Sequence, residues 1–293
     1  MTEIRYLAPR TLEDAVSAFA AAQGAASGTA RILAGGTDLL VQMRAGVVQP
    51  GTIIDIKKIE EVTAITEQPD GSFVIGAAVS GATLHDHPRF GKVWPGVLEA
   101  VNLIGSKQVQ GRASPGGNLC NASPAGDSVP AMIAAGAVVT VQGPNGRRTL
   151  PVEKVPAGPG RTTLTPGEIL VSFTLPARPA GSGDAYLRMI PRTEMDIAVV
   201  GCGVNLTMAG GKVTAARVGL GAVAPVPLLV EDAAKALIGS TLDEAALEAA
   251  AAACRAACNP INDKRGTIAY RTKVAGVLLK RTAAIAAERA GRK

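Results

Sequence analysis

Two loops hold most of the residues able to grip a ligand in this chain of 293 residues. In the first, Leu33-Ala34-Gly35-Gly36-Thr37-Asp38-Leu39-Leu40, an apolar strand stops at paired glycines and a hydroxyl residue opens a helix. Glycine bares the backbone amides, and the unpaired N–H groups and dipole of a helix start favour an anion such as a phosphate. An ordinary strand-to-helix turn has the same spelling. The second loop runs from Ser114 to Asp127 and sets Gly116-Gly117-Asn118 ahead of Asn121, Ser123 and Asp127, more hydrogen-bonding groups than a solvent loop requires. Two such loops suit the two phosphates of a dinucleotide.

Rival chemistries are poorly spelled. Gly219-Leu220-Gly221-Ala222-Val223-Ala224 matches a dinucleotide fingerprint, but Pro225 and Pro227 follow at once and forbid the helix that fingerprint needs. No P-loop motif occurs, which argues against a nucleotide triphosphatase. The only histidines, His85 and His87, have no metal-ligand geometry around them. Cys120, Cys202, Cys254 and Cys258 contain no CxxC pair, so neither a zinc ribbon nor an iron–sulfur cluster is written here. With histidine so scarce, redox chemistry by a bound cofactor is a better enzyme hypothesis than acid–base catalysis.

The elements that must position the loops can be read from periodicity. Thr11 and Asp14 form a capping box ahead of a helix carrying Leu12, Val16 and Phe19. A small-residue loop leads to a strand at 31–34, then a helix with Leu39, Leu40 and Met43 on one face, then a strand at 52–56: a β-loop-α-β unit. Strands are expected at 62–66, 73–77, 138–141 and 169–175, and helices at 82–86, 93–104 and 128–135, while 111–127 breaks all periodicity. Residues 177–184, with Pro179, Gly181 and Gly183, read as a linker. Strands at 198–208, 213–220 and 221–223 then precede helices at 231–237, 242–257 and 267–288, the order of an antiparallel sheet backed by three helices.

Composition sets outer limits. Hydrophobic residues are 47% and charged residues 18% of the chain, which excludes a disordered protein. One Trp, three Tyr and four Phe leave too few rings for a base-stacking nucleic-acid binder. The net charge of +6 is mild and contains no like-charge run. The N-terminal ten residues lack an apolar signal core and no run of 18 apolar residues occurs, so the expectation is a cytoplasmic chain without a membrane span.

Over nearly its whole length the chain resembles the FAD-binding medium subunit of the molybdenum hydroxylases, the family of xanthine dehydrogenase and carbon monoxide dehydrogenase flavin subunits. The resemblance rests on residues 34–40, on Gly116-Gly117-Asn118 through Ala122-Ser123-Pro124 to Asp127, on Gly167-Glu168-Ile169-Leu170, and on Arg192 to Ala198. Asp263, Arg265, Tyr270 and Arg271 fit the family's last domain. The implied fold class is α+β: a vanillyl-alcohol-oxidase-type (PCMH-type) FAD-binding domain of two α/β subdomains, 1–57 and 58–177, followed by a C-terminal α+β domain, 185–293.

By the same resemblance, Ile32, Leu33, Ala34, Gly35, Gly36, Thr37, Asp38 and Leu39, with Ser114, Gly116, Gly117 and Asn118, bind the pyrophosphate and ribityl chain of FAD. Asn121 and Asp127 are implied as polar contacts, Leu170 as packing beside a ring, and Arg188 as the cation at the flavin. The chain also departs from the family pattern. Pro115 stands where an aliphatic residue is usual, and Gln110, Gly111 and Ala113 replace the common Arg, Asn and Gly. No cysteine-bearing insertion follows Asp127, so the extra cluster of the 4-hydroxybenzoyl-CoA reductase flavin subunit is not expected. Thr37-Asp38 replaces the His-Ser typical of carbon monoxide dehydrogenases, which argues against carbon monoxide as substrate.

The resemblance therefore implies an oxidoreductase component without catalytic residues or metal ligands of its own. Its FAD would take electrons from the two [2Fe-2S] clusters of a small subunit, fed by a large molybdopterin subunit, and pass them to NAD, a quinone or oxygen. A dimer of heterotrimers is implied. The alternatives are a self-sufficient FAD oxidoreductase of the same fold and a non-catalytic assembly subunit.

Overall fold

The computed structural model describes residues 4–23 and 29–291. The small-residue stretch expected to loop after the first helix falls on 24–28, outside the described residues. Three short parallel strands, β1 (Arg5–Leu7), β2 (Ala30–Leu33) and β3 (Thr52–Asp55), form a sheet in the order β1-β3-β2. The helix α1 (Leu12–Gln23) covers it, started by the Asp14 amide donating to Thr11 Oγ1 at 3.1 Å. The helix α2 (Leu39–Arg44) follows β2 directly, as the spacing predicts, but none of its residues is buried. On the face that carries Leu39, Leu40 and Met43, Leu39 and Met43 are half-buried and Leu40 is exposed.

The middle of the chain builds a five-stranded antiparallel sheet. Its strands are β4 (Ile65–Glu67), β5 (Phe73–Gly76), β6 (Val138–Gly143), β7 (Gly146–Pro151) and, after the small β8–β9 pair (Pro156–Gly158, Arg161–Thr162), β10 (Ile169–Leu175). The order is β4-β5-β10-β6-β7. The turn at Asn145-Gly146 makes the hairpin its residues predict, and its outgoing strand β7 is one the periodicity misses because five of its six residues are exposed. Between β5 and β6 lie α3 (Gly81–Asp86), α4 (Phe90–Val93), α5 (Pro95–Val101), α6 (Lys107–Gln110), α7 (Pro115–Cys120) and α8 (Ser128–Ala135). The aperiodic segment 111–127 is therefore not a plain loop: Pro115 sits at the first turn of α7, where a missing N–H costs nothing.

The C-terminal half is a four-stranded antiparallel sheet of β11 (Ser182–Met189), β12 (Val200–Ala209), β13 (Lys212–Gly221) and β14 (Leu228–Leu229), backed by α9 (Glu231–Leu237), α10 (Glu244–Ala257) and α11 (Ile268–Gly291). Two sequence readings need correction. The linker is shorter than expected, because Ser182 already pairs with Thr207. Residues 221–223 do not form a separate strand, because Ala222 turns the chain with φ at +64° and β14 takes the edge instead.

Glycines seat the middle helix against this sheet. Every residue of α8 is buried, as an all-apolar helix requires. It lies on β12 and β13 where Gly203, Gly219 and Gly221 stand, and a Cβ on Gly219 would come within 2.2 Å of the Pro130 carbonyl oxygen. The Gly-x-Gly at 219–221 serves helix-to-sheet packing and no dinucleotide.

A buried polar joint completes the contact between the halves. Arg178 Nη1 donates to Asp184 Oδ1 at 2.5 Å and to the Val93 carbonyl at 2.6 Å, and its guanidinium lies 4.4 Å from the Trp94 ring centre. Asp184 Oδ2 accepts the Val97 amide at 3.1 Å, and Arg289 on α11 pairs with Glu99 on α5. Removing one partner of a buried pair leaves an uncompensated charge. Arg178→Met should therefore cost about 3 to 5 kcal/mol of stability in urea unfolding, and adding Asp184→Asn should recover part of that loss; equal stability of wild type and Arg178→Met would refute the joint.

Candidate functional site

The first loop lies where the parallel strands β2 and β3 end, the edge at which open α/β sheets present ligand sites. The second loop reaches it from the antiparallel sheet. Gly116 donates its amide to the Ala77 carbonyl, 3.1 Å away just past β5, and a Cβ on Gly116 would fall 2.3 Å from that same oxygen. Gly35 meets the other loop even more tightly: a Cβ there would sit 2.1 Å from the Arg112 carbonyl oxygen, and Arg112 Nε donates back to the Gly35 carbonyl at 3.3 Å. A bond between side chains adds to this tie, from Gln42 Nε2 on α2 to Asn121 Oδ1 at 3.0 Å.

Between them lies a cleft of about 680 Å³, within the range of cofactor sites. Of the expected site residues, Ile32, Ala34, Gly35, Gly36, Thr37, Asp38 and Leu39 line it from one side and Ser114, Gly116, Gly117, Asn118 and Asn121 from the other. Leu170 closes the end, next to a bulge in β10 between Leu170 and Ser172. Leu33 does not line the cleft; its side chain is buried.

The two loops offer different chemistry. Among the described residues, the backbone N–H groups of Gly35, Gly36, Thr37, Asp38 and Leu39 find no backbone acceptor, so a row of donors is left for an anion. In the second loop the Gly116, Gly117 and Asn118 amides are already bonded, to Ala77 O, Ser114 Oγ and Ser114 O. That loop is left with side-chain groups. Ser114 Oγ accepts from Gly117 and keeps its own proton to donate. Asn118 accepts two bonds from Ser128 through Oδ1, which leaves its amide NH₂ as a donor. A Cβ on Gly117 would touch only Ser114 Oγ, at 3.1 Å, so this glycine borders the open cleft.

Asp38 and Cys120 are accessible yet set in the concave wall, and the surrounding protein raises the pKa of both. Desolvation pushes the Cys120 thiol up to about 12, so it is protonated at neutral pH and a poor nucleophile. Neither motif nor periodicity marks Cys120 as a lining residue, nor Gln42, Val47, Val48 and the third wall of Thr162, Leu164, Thr165 and Pro166. For Gln42 the available signal is its place, three residues after Leu39 on a six-residue helix. The third wall carries no pattern beyond Gly167-Glu168, where Glu168 is anchored by Arg148 and its carboxyl is pulled down to about 2.

Asp127 and Arg188, expected to face the ligand, face each other. Arg188 Nη1 donates to Asp127 Oδ2 at 2.8 Å and to the Leu103 carbonyl at 2.9 Å, and the Tyr186 hydroxyl lies 3.1 Å from Asp127 Oδ1. Neither residue lines the cleft, but Ile104, next to Leu103, does. The pair thus stands one residue behind the wall.

Burial outweighs the guanidinium and raises the Asp127 carboxyl to about 6 from 3.8. A pKa raised on folding means that the folded chain binds more protons between these values, so its stability falls as pH rises through that window. From pH 4 to pH 6 the wild type should lose on the order of 2 kcal/mol that Asp127→Asn does not lose; parallel pH profiles from urea titration would remove Asp127 as the cause.

Comparison with known proteins agrees with this architecture. A family described as the FAD binding domain in molybdopterin dehydrogenase matches residues 2–178, and one described as the CO dehydrogenase flavoprotein C-terminal domain matches 185–286. The carbon monoxide dehydrogenase medium chain of Hydrogenophaga pseudoflava is 35% identical over 276 residues, 94% of either chain. The xanthine dehydrogenase FAD-binding subunit of Escherichia coli is 29% identical over 265 residues, covering 90% of this chain and 91% of that one. Among solved structures, the reconstituted CO dehydrogenase of Oligotropha carboxidovorans superposes with a TM-score of 0.93 at 34% identity, over 98% of each chain.

Proposed function

Because the chain belongs to the family of FAD-binding medium subunits of molybdenum hydroxylases, we infer that it is the FAD-carrying electron-transfer subunit of such an oxidoreductase. The observation that carries this reading is the cleft itself. Five unpaired amides from Gly35 to Leu39 form a cradle for a pyrophosphate, while Ile32, Ile104, Leu164 and Leu170 supply apolar wall for ring systems. The donor set fits FAD: amides for phosphate, Ser114, Asn118 and Asn121 for hydroxyls and carbonyls, and Asp38 as an acceptor.

Bound FAD supplies the redox chemistry, accepting electrons and passing them on. The chain's own residues bind and orient. Ile32, Leu33 by its backbone, Ala34, Gly35, Gly36, Thr37, Asp38, Leu39, Ser114, Gly116, Gly117, Asn118, Asn121 and Leu170 are the proposed contacts. Asp127 and Arg188 act from behind the wall, where the guanidinium holds the Leu103 carbonyl and thereby the Ile104 side of the cleft. Cys120, protonated at neutral pH, supports non-covalent binding.

The relatives are named for carbon monoxide and for xanthine, which supports placing substrate choice on another chain. Among the described residues no cluster of His, Cys, Asp or Glu is fit to hold a metal ion, so electrons would enter from a partner. The proposed partners are a large molybdopterin-binding subunit and a small subunit with two [2Fe-2S] clusters, two such heterotrimers pairing, a stoichiometry taken from the resemblance alone. We further propose a cytoplasmic complex and units bounded at 1–57, 58–177 and 185–293. The free cysteines support the reducing compartment, and no helix among the described residues is long and apolar enough to cross a membrane.

Gly117→Val should fold but bind FAD at least tenfold more weakly, about 1.4 kcal/mol, read as flavin absorbance per folded chain after dialysis. Gly35→Ala should instead lower the unfolding temperature, because its Cβ strikes backbone. Unchanged flavin content in Gly117→Val would sink the assignment of that wall. The FAD of the isolated subunit should stay oxidised when organic substrate is added and bleach only when both partner subunits are restored. Prompt bleaching of the lone subunit in stopped-flow would mean a self-sufficient oxidoreductase.

A further inference from the structure

The row of free amides from Gly35 to Leu39 invites an anion, yet it contains a carboxylate. Asp38 contributes its own amide to the row, the amides on either side belong to Thr37 and Leu39, and the residue lines the cleft and is accessible from it. An aspartate ahead of a helix ordinarily accepts an amide of the first turn. Asp38 precedes α2 and makes no such bond. Burial in the wall is the one influence on its carboxyl, which it raises, and no cation offsets it. The other charges around the cleft are settled. Glu168 is held by two nitrogens of Arg148, and Arg112 is turned to the Gly35 carbonyl. Arg31, on β2, is the one cation among the described lining residues, while Arg44 ends α2 and does not line the cleft. Asp38 is thus an unneutralised negative charge beside the amides that a phosphate would use.

We propose that Asp38 sets the specificity of the cleft, admitting a diphosphate esterified at both ends, as in FAD, and rejecting ligands that end in a free phosphate. This rests on the reading of the cleft as an FAD site and names what that site excludes. In FAD each phosphorus of the bridge carries a single negative charge and has no further proton to lose. A terminal phosphate has one more proton, which ionises at about pH 6, so it carries nearly two charges at neutral pH. That second charge meets the Asp38 carboxylate where the ligand has displaced water, and like charges repel more strongly there than in solution. The same carboxylate can accept from a hydroxyl beyond the bridge, which a diester offers and a terminal phosphate does not. Specificity is a difference between affinities, and a group that costs the wrong ligand more than the right one supplies it.

The test is displacement of FAD from the full chain, followed by flavin fluorescence, with ADP-ribose and ADP as competitors. The two share adenine, ribose and both phosphates, and differ in whether the last phosphate is esterified. Asp38→Asn keeps the size and an acceptor oxygen but removes the charge. At pH 8 it should shift the ratio of the two affinities toward ADP by roughly tenfold relative to the wild type. A second reading needs no variant. Lowering the pH from 8 to 5 protonates the terminal phosphate, so in the wild type ADP should gain on ADP-ribose; a proton taken by Asp38 acts in the same sense. Among the described lining residues there is no histidine, Glu168 with its carboxyl at about 2 keeps its charge, and Cys120 with its thiol at about 12 stays neutral. In Asp38→Asn the same change of pH should give ADP no gain, because the bare amides favour the more highly charged phosphate. A ratio that neither Asp38→Asn nor pH moves overturns the role of Asp38 alone. ADP-ribose that fails to displace bound FAD overturns the amide cradle, and the inference with it. A wild-type chain that binds no FAD overturns the functional reading itself.

Discussion

The cleft exists because two backbones touch without side chains between them. Gly35 against Arg112 and Gly116 against Ala77 are contacts that a single Cβ would push apart, at 2.1 and 2.3 Å. Gly116 seats the short helix of the second loop on the antiparallel sheet, and Gly35 sets the end of a parallel strand against that loop, so the two contacts together fix two differently built layers against each other. A larger residue at either point would separate the loops and widen the cleft beyond the reach of groups contributed from both sides. The Gln42–Asn121 bond then ties α2, next after the first glycines, to the end of the second loop.

That constraint also explains why the loops divide the work of binding. The second loop must bond to its neighbours to stay in place, and its amides go to Ala77 and Ser114. The first loop is held by the strand before it and by its contact with Arg112, so its amides remain free. Identical glycine pairs thus have unlike roles, one pair giving donors and the other giving shape. Of these four glycines Gly117 leaves the most room, since a Cβ there would meet only Ser114 Oγ.

The binding loops were legible because glycine pairs beside hydroxyl and amide residues are chemically unusual, and α8 and α9 were legible because their patterns are local. What failed depended on distance. Whether an amide is free or bonded depends on Ala77, far from Gly116 in sequence, and no periodicity reports it. Asp127 and Arg188 are separated by β6 through β10, and their attraction for each other is invisible until the strand β11 is laid beside α8. The weak strand β7 escaped because strand patterning records burial, and β7 has little. For α2 the period marks an apolar face but not what covers it.

Behind the cleft, one residue connects the cofactor wall to the C-terminal sheet. Asp127 immediately precedes α8, the helix that sits on the glycines of β12 and β13, and it accepts from Tyr186 and Arg188 of β11. Arg188 in turn holds the Leu103 carbonyl beside the cleft-lining Ile104. Any shift of the sheet relative to α8 must therefore strain the pair or move that wall. A buried pair is a poor source of net stability but a demanding one geometrically, since either charge left alone is costly. The C-terminal half, which contributes none of the residues lining the cleft, thereby sets the position of one of its walls. This is the arrangement expected of a chain whose task is to hold a redox group at a fixed place relative to other chains, with the reacting substrate elsewhere.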